Sequence, residues 1–198
     1  MSENFANAGV YLIQTFFGLY ILVVIMRFLM QTAKVDFYNP ISQAIVTITD
    51  PPIRPLRRLI PSIYGVDLSI LVLALVLQTI AVALIISLKG FSLPNPLLLV
   101  SWSLLGMFAQ VLDIYFFALI IMVISSWIAP HSNHPILMMI YQLTAPLCSP
   151  ARRLIPPMGG LDISIIVVFV FISLIDNFLV VEPLRQFLAC PKGLILGL

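Results

Sequence analysis

Two aspartates stand inside long apolar runs, where a charge is hardest to keep: Asp113 within Leu97 to Ala129 and Asp176 within Ile163 to Val181. A carboxylate in hydrocarbon loses its hydration, so an ionisable group there reads first as a functional candidate. Gln110 and Asp113 are three residues apart, and Ser173, Asp176 and Asn177 fall at i, i+3 and i+4, so each set shares one helix face. Antiparallel spans would place Asp113 about three residues and Asp176 about four to the outer side of their helix centres, or roughly 5 to 6 Å. Two carboxyls at one depth in a low dielectric cannot both carry charge cheaply, so one is expected to share a proton or a cation with its neighbour. Three uses stay open: hydrogen-bonded glue between helices, a proton or cation pathway, and a face for a partner.

The other chemistry-bearing residues come in pairs. Arg57-Arg58 sits between Pro55 and Pro61 and is followed by Asp67 and Ser69; Arg152-Arg153 sits between Pro150 and Pro156 and is followed by Asp162 and Ser164. Sliding the chain on itself by ninety-five positions gives twelve identities in the twenty-two positions from Thr49 to Ile70, without a gap. The sequence is read as an internal duplication. Planar guanidinium forks at a membrane surface can pair with lipid phosphates or a partner, or can fix topology as a cytoplasmic charge excess. Asp67 and Asp162, each opening an apolar run with a serine two residues on, are expected to cap the helices that follow, with Gly65 and Gly159-Gly160 supplying the turn. The intramembrane polar cluster belongs to one copy only, since Gly18 and Ala81 stand where the other has Asp113 and Asp176.

These residues need spans to carry them, and the composition provides them. Sixty-one per cent of the chain is hydrophobic and nine per cent charged, in runs long enough to cross lipid, so the expected fold is an all-α membrane protein with four transmembrane helices. The first repeat, 9–90, has spans at about 10–33 and 68–88; a connector covers 91–103. The second repeat, 104–183, has spans at about 104–129 and 163–181, and a tail follows over 184–198, with room for a short surface helix at Leu184 to Ala189. Residues 97–103 read as an interfacial lead-in. Arg27, near the end of the first span, is expected to snorkel to headgroups. Between the spans of each copy lies a short amphipathic helix, about 40–50 and 135–145, too short to cross and either interfacial or re-entrant. Its apolar stripe is Ile41, Ala44, Ile45 and Ile48 in one copy and Ile136, Met139, Ile140 and Leu143 in the other. Pro51-Pro52 is expected to end the first of these helices.

Several classes are excluded. A net charge of +2 without a basic patch argues against nucleic acid. Cys148 and Cys190 have no paired or metal-ligand spacing, and His131 and His134 read as a polar loop, so neither a disulfide framework nor a metal is expected. No lysine or arginine precedes Arg27, so the first segment is expected to be retained and not cleaved as a signal. No HExxH, GxSxG or phosphate loop occurs, and no serine has a histidine on a facing span, so no catalytic residues and no cofactor are expected. Six basic residues, Lys34, Arg54, Arg57, Arg58, Arg152 and Arg153, fall in the two motif loops against Lys89, Arg185 and Lys192 opposite. That bias predicts both motif loops in the cytoplasm and both termini outside, with the copies related about an axis along the membrane normal.

The doubled pattern of Asn39-Pro40 or His134-Pro135, a proline-bounded Arg-Arg-Leu-Ile-Pro run and a Gly-x-Asp-x-Ser entry to a span resembles the YggT (YlmG-like) family of small multi-pass membrane proteins. The resemblance covers nearly the whole chain; a proline often found after the serine is replaced by Ile70 and Ile165. It implies a place in the inner membrane and associations with osmotic and ion tolerance, cell division, nucleoid organisation and, in plastids, assembly of a haem-bearing cytochrome. Residues and resemblance together lead to a non-enzymatic scaffold or assembly factor, contacting anionic lipids and other membrane proteins or copies of itself. The alternative is ion or proton conductance, or its regulation, through Asp113 and Asp176.

Overall fold

The structure is a computed structural model that describes residues 2–62, 65–128, 132–154, 162–191 and 193–197. It is all-helical among these residues, and four helices are long and apolar enough to cross a membrane. α1 covers Ser2–Thr32, α3 Leu68–Leu88 and α4 Pro96–Ile128. The fourth crossing is built from α6, Ile163–Leu174, a π turn over Ile175–Leu179 and α7, Val181–Phe187. α2, Pro40–Arg57, and α5, Pro135–Leu154, lie together across one end of the bundle, here called the foot end. Asn39 Nδ2 donates to the Pro135 carbonyl at 2.7 Å and the Asp36 N–H to Gln142 Oε1 at 2.9 Å, so the two feet are tied to each other.

Three helices run further than their expected limits. α1 begins at Ser2 and not near residue 10, because nothing from Asn4 to Ala8 breaks a helix, and Gly9 packs against Leu88. The segment 97–103 is no separate lead-in but the first two turns of α4: the Asn95 side chain accepts from the Leu97 N–H at 2.9 Å, Pro96 takes the first turn, and no breaker follows. The resulting 33 residues make a helix of about 50 Å. The fourth crossing runs past its expected end at about 181, since Pro183 falls in the first turn of α7, where its missing N–H has no partner to lose.

α2 also corrects its expectation. It passes through Pro51, Pro52 and Pro55 and ends at Arg57. Each proline removes a ladder hydrogen bond, but the carbonyl of Ile48, which Pro52 leaves free, accepts from the Tyr20 hydroxyl at 3.4 Å. Beyond the prolines, Ile53 is wholly buried and holds the last turns to the bundle. The fully buried residues of α2 are Ser42, Thr49 and Ile53; of the expected stripe, Ile41 and Ile45 pack half-buried against the core, while Ala44 and Ile48 are exposed. α5 buries Met139, Ile140 and Leu143 and likewise continues through Pro146 and Pro150.

The core runs the length of the bundle, with Ile21, Val24 and Ile25 of α1 against Ile70, Ala74 and Ala81 of α3 and Leu119 and Met122 of α4. Phe116 and Phe169 stack at 4.4 Å between α4 and α6. At the other end α7 supplies the exposed short helix expected near Leu184, but the tail beyond it is not on the surface. It turns back at Ala189 and buries Cys190, Leu194, Ile195 and Leu196 among α1, α3 and α4. Gln14 and Gln78 donate to the carbonyls of Gly193 and Leu196 at 3.0 and 2.8 Å, and the Trp102 indole donates to that of Leu188 at 3.0 Å.

Candidate functional site

At the foot end the double arginines divide their labour. Arg57 Nε pairs with Asp67 Oδ2, and Arg152 Nε with Asp162 Oδ2 at 2.7 Å, ten residues apart in each copy. Each aspartate also caps the next helix: Asp67 Oδ1 accepts from the Ser69 N–H at 3.0 Å and Asp162 Oδ1 from the Ser164 N–H at 3.2 Å and from the Ser164 hydroxyl. One carboxylate therefore closes the loop through one oxygen and starts the span through the other. Such a cap is worth about 1 kcal/mol. Burial opposes ionisation of Asp162, yet the Ser164 hydroxyl and Arg152 outweigh it and hold its carboxyl below the usual range. The Arg58 and Arg153 side chains are exposed and make no hydrogen bond or ion pair to any described residue. The turn expected at Gly159-Gly160, the end of the second proline run from Ile155 and the histidine His131 lie outside the described residues. His134 caps α5, its Nδ1 accepting from the Ile136 N–H at 3.3 Å.

Arg27 does not snorkel. Its guanidinium is buried, with Nη1 donating to the Val46 carbonyl at 3.1 Å and to Thr49 Oγ1 at 2.8 Å, and Nη2 to Asp50 Oδ1 at 2.8 Å. The foot lies directly over the end of α1, so the nearest acceptors are protein and not headgroup. Arg54 holds the other Asp50 oxygen at 2.8 Å, and Arg57 approaches Asp50 at 3.8 Å, linking Arg27, Asp50, Arg57 and Asp67 into one chain of charges. The Arg27 hydrogen bond, against burial and with help from Arg54, holds the Asp50 carboxyl below its ordinary range. A depressed carboxylate stabilises the fold above its unfolded pKa and loses that contribution as pH falls through the folded one. The sequence carried two signals for this network: a lone arginine in the first span, and an aspartate on α2 where the second copy has Ala145.

Mid-bundle, the polar residues split between two spaces. Asp113, Ser173, Asp176 and Asn177 border a cavity of about 170 Å³ between α4 and the fourth crossing. Asp176 and Asn177 lie in the π turn, where Val180 N–H bonds back five residues to Ile175 and the Asn177 side chain caps the Ser173 carbonyl at 3.0 Å. Gln110 and Asp113 border a larger groove of about 710 Å³ between α1 and α4. Gly18, Leu19 and Leu22 form one wall, Phe117 and Ile121 the other; α5 supplies the floor and Leu196 and Gly197 of the tail close the far end. Neither the Asp113 nor the Asp176 carboxyl makes a hydrogen bond or ion pair to a described residue, and Gln110 Oε1 is buried without a partner among them. The groove depends on two elements far apart in sequence, and no local pattern announces it.

Comparison with known proteins places this architecture. A family model described as CCB3/YggT matches residues 6–88 and again residues 101–184. An uncharacterised protein of Pseudomonas aeruginosa is 42% identical over 95% of this chain and 95% of its own length. A Vibrio alginolyticus protein from the proC 3' region is 41% identical over 87% of this chain and 93% of its own. The uncharacterised protein YggT of Escherichia coli K12 is 35% identical over 86% and 88%. No solved structure matches. With the family model matched to both halves and relatives matched nearly end to end, this chain belongs to the CCB3/YggT family of membrane proteins.

Proposed function

We propose that this protein is a non-enzymatic scaffold or assembly factor of the bacterial inner membrane, made of two tandem repeats that each cross twice and lay a proline-bounded amphipathic foot on the cytoplasmic leaflet. The double family match and the recurrence of the Arg-Asp-Ser geometry support the two-repeat reading. Arg58 and Arg153 are unengaged on the same end of the molecule, and free guanidinium forks on an anionic leaflet are worth about 1 kcal/mol each. The excess of basic residues at that end supports a cytoplasmic placement, with both termini outside.

The observation that carries the scaffold reading is the groove. α1 and α4 leave between them an apolar cleft of about 710 Å³, against about 200 Å³ for the apolar cavity between α4 and α6. A cleft of that kind suits an added helix, since packing between spans rests on close approach and a few polar contacts. Photocrosslinking amino acids at Leu19 and Phe117, both 61% exposed in the groove, are expected to give discrete protein adducts in native membranes, and one at Val76 on the outer face of α3 none. Adducts equal at all three positions, or a purified protein that moves protons or cations in liposomes until Asp113 and Asp176 are both changed to Asn, would transfer the assignment to conductance.

A further inference from the structure

We propose that the groove between α1 and α4 seats a transmembrane helix of a different protein that carries a basic side chain at mid-bilayer, received by Asp113 and Gln110. The inference rests on the scaffold reading and names the chemistry of its partner. Asp113 is one residue from Leu112, the middle residue of α4, so it stands at the centre of the longest span. Gln110 is three residues away on the same face and is 9% exposed, yet its Oε1 meets no donor among the described residues. Two oxygen acceptors thus line the middle of an apolar wall with nothing donated to them, and in hydrocarbon an acceptor without a donor is costly. An ammonium, with three donors, answers both.

The groove already holds polypeptide at one end. The tail enters it at Leu196 and Gly197, and a Cβ on Gly197 would meet Gln110 Cγ at 2.7 Å and the Gly106 carbonyl at 2.8 Å. A chain segment therefore packs in this cleft to within one turn of Asp113, which favours a helix over a lipid as occupant of the remainder. Acyl chains have no donor to give. Gly18, on the facing wall, removes the side chain that would hold a helix off. A second copy does not supply the missing charge, because the basic residues of its described spans are already paired: Arg27 is 5% exposed and bound to Asp50, and Arg185 is bound to Glu182.

The test uses the full-length protein in nanodiscs and labelled single-span peptides of about 21 leucines and alanines. One carries a central lysine, one leucine at that place, one glutamate; energy transfer from a donor fixed at Phe117 reports entry. The lysine peptide is expected to bind at least tenfold more tightly than the leucine peptide. Asp113→Asn should remove the difference, and Asp113→Lys should exchange the preference toward the glutamate peptide, which a merely misfolded variant would not do. Lysine and leucine peptides that bind alike, unaffected by Asp113→Asn, overturn the basic-partner inference and leave the scaffold reading standing. Binding by no peptide, together with silent crosslinkers at Leu19 and Phe117, overturns both.

Discussion

Changing Asp50 to alanine is expected to destabilise the fold by about 3 kcal/mol, because it leaves the Arg27 guanidinium buried without its carboxylate. The Arg27 side chain is 6% exposed, so water cannot take the place of Asp50, and only the Val46 carbonyl and the Thr49 hydroxyl would remain. Arg27→Met should cost less, about 1 to 2 kcal/mol, since Asp50 keeps Arg54 and stands closer to solvent. The double variant Arg27→Met, Asp50→Ala should return to within about 1 kcal/mol of the parent, as an apolar replacement for a buried pair often does. The second copy is an internal precedent: it has Met122 and Ala145 at the corresponding positions, and there Met122 is 1% exposed with the Thr144 hydroxyl 3.5 Å from its sulfur. A double-mutant cycle by denaturant titration in mixed micelles measures the coupling. Single losses that simply add would mean the guanidinium is solvated and the pair is ornamental.

Filling Gly106 should release the tail, with the larger signal. A Cβ there would lie 2.4 Å from Ile195 Cγ2, 2.6 Å from Gln78 Nε2 and 2.8 Å from the Leu196 carbonyl, so backbone must move and not only a side chain. Cys190 reports the movement. It is 2% exposed and burial pushes its thiol up to about 11, which leaves almost no thiolate at neutral pH. Exposure would return it to about 8.5, a gain of roughly 300-fold in thiolate before any gain in access. In a Cys148→Ala background, Gly106→Leu should therefore raise maleimide labelling of Cys190 by at least about a hundredfold, while the foot end, probed by a cysteine at Arg58, is unchanged. A labelling rate close to that of the parent would show that the tail does not depend on this contact.

The four crossings were legible because length and composition suffice for them, and the two motif loops because Arg57, Arg58, Asp67 and Ser69 recur in order as Arg152, Arg153, Asp162 and Ser164. The roles within the loops were less so. Adjacent arginines look alike in sequence, yet only the first of each pair points to the capping aspartate, a distinction made by helix phase at the end of α2 and α5. Proline rules erred at Pro51-Pro52 because the freed carbonyl finds a tyrosine from another helix, a tertiary contact that no local rule contains. Arg27 misled for the same reason: its partner lies twenty-three residues on and is brought over it by the fold. The tail and the groove had no local signature, since both depend on how α1 and α4 separate. Counting turns puts Asp113 and Asp176 at one depth, but the π turn that carries Asp176, and the way Gln110 turns toward the groove, depend on packing between helices.

The proposed function depends on how the chain is arranged across the bilayer, and cysteines introduced singly at Arg58 and Arg153 in a cysteine-free background test that arrangement most directly. An impermeant maleimide should label both in inside-out vesicles and neither in intact spheroplasts. Labelling of the two from opposite sides of the membrane, or of either from outside, contradicts two repeats that each cross twice and rest their feet on the cytoplasmic leaflet.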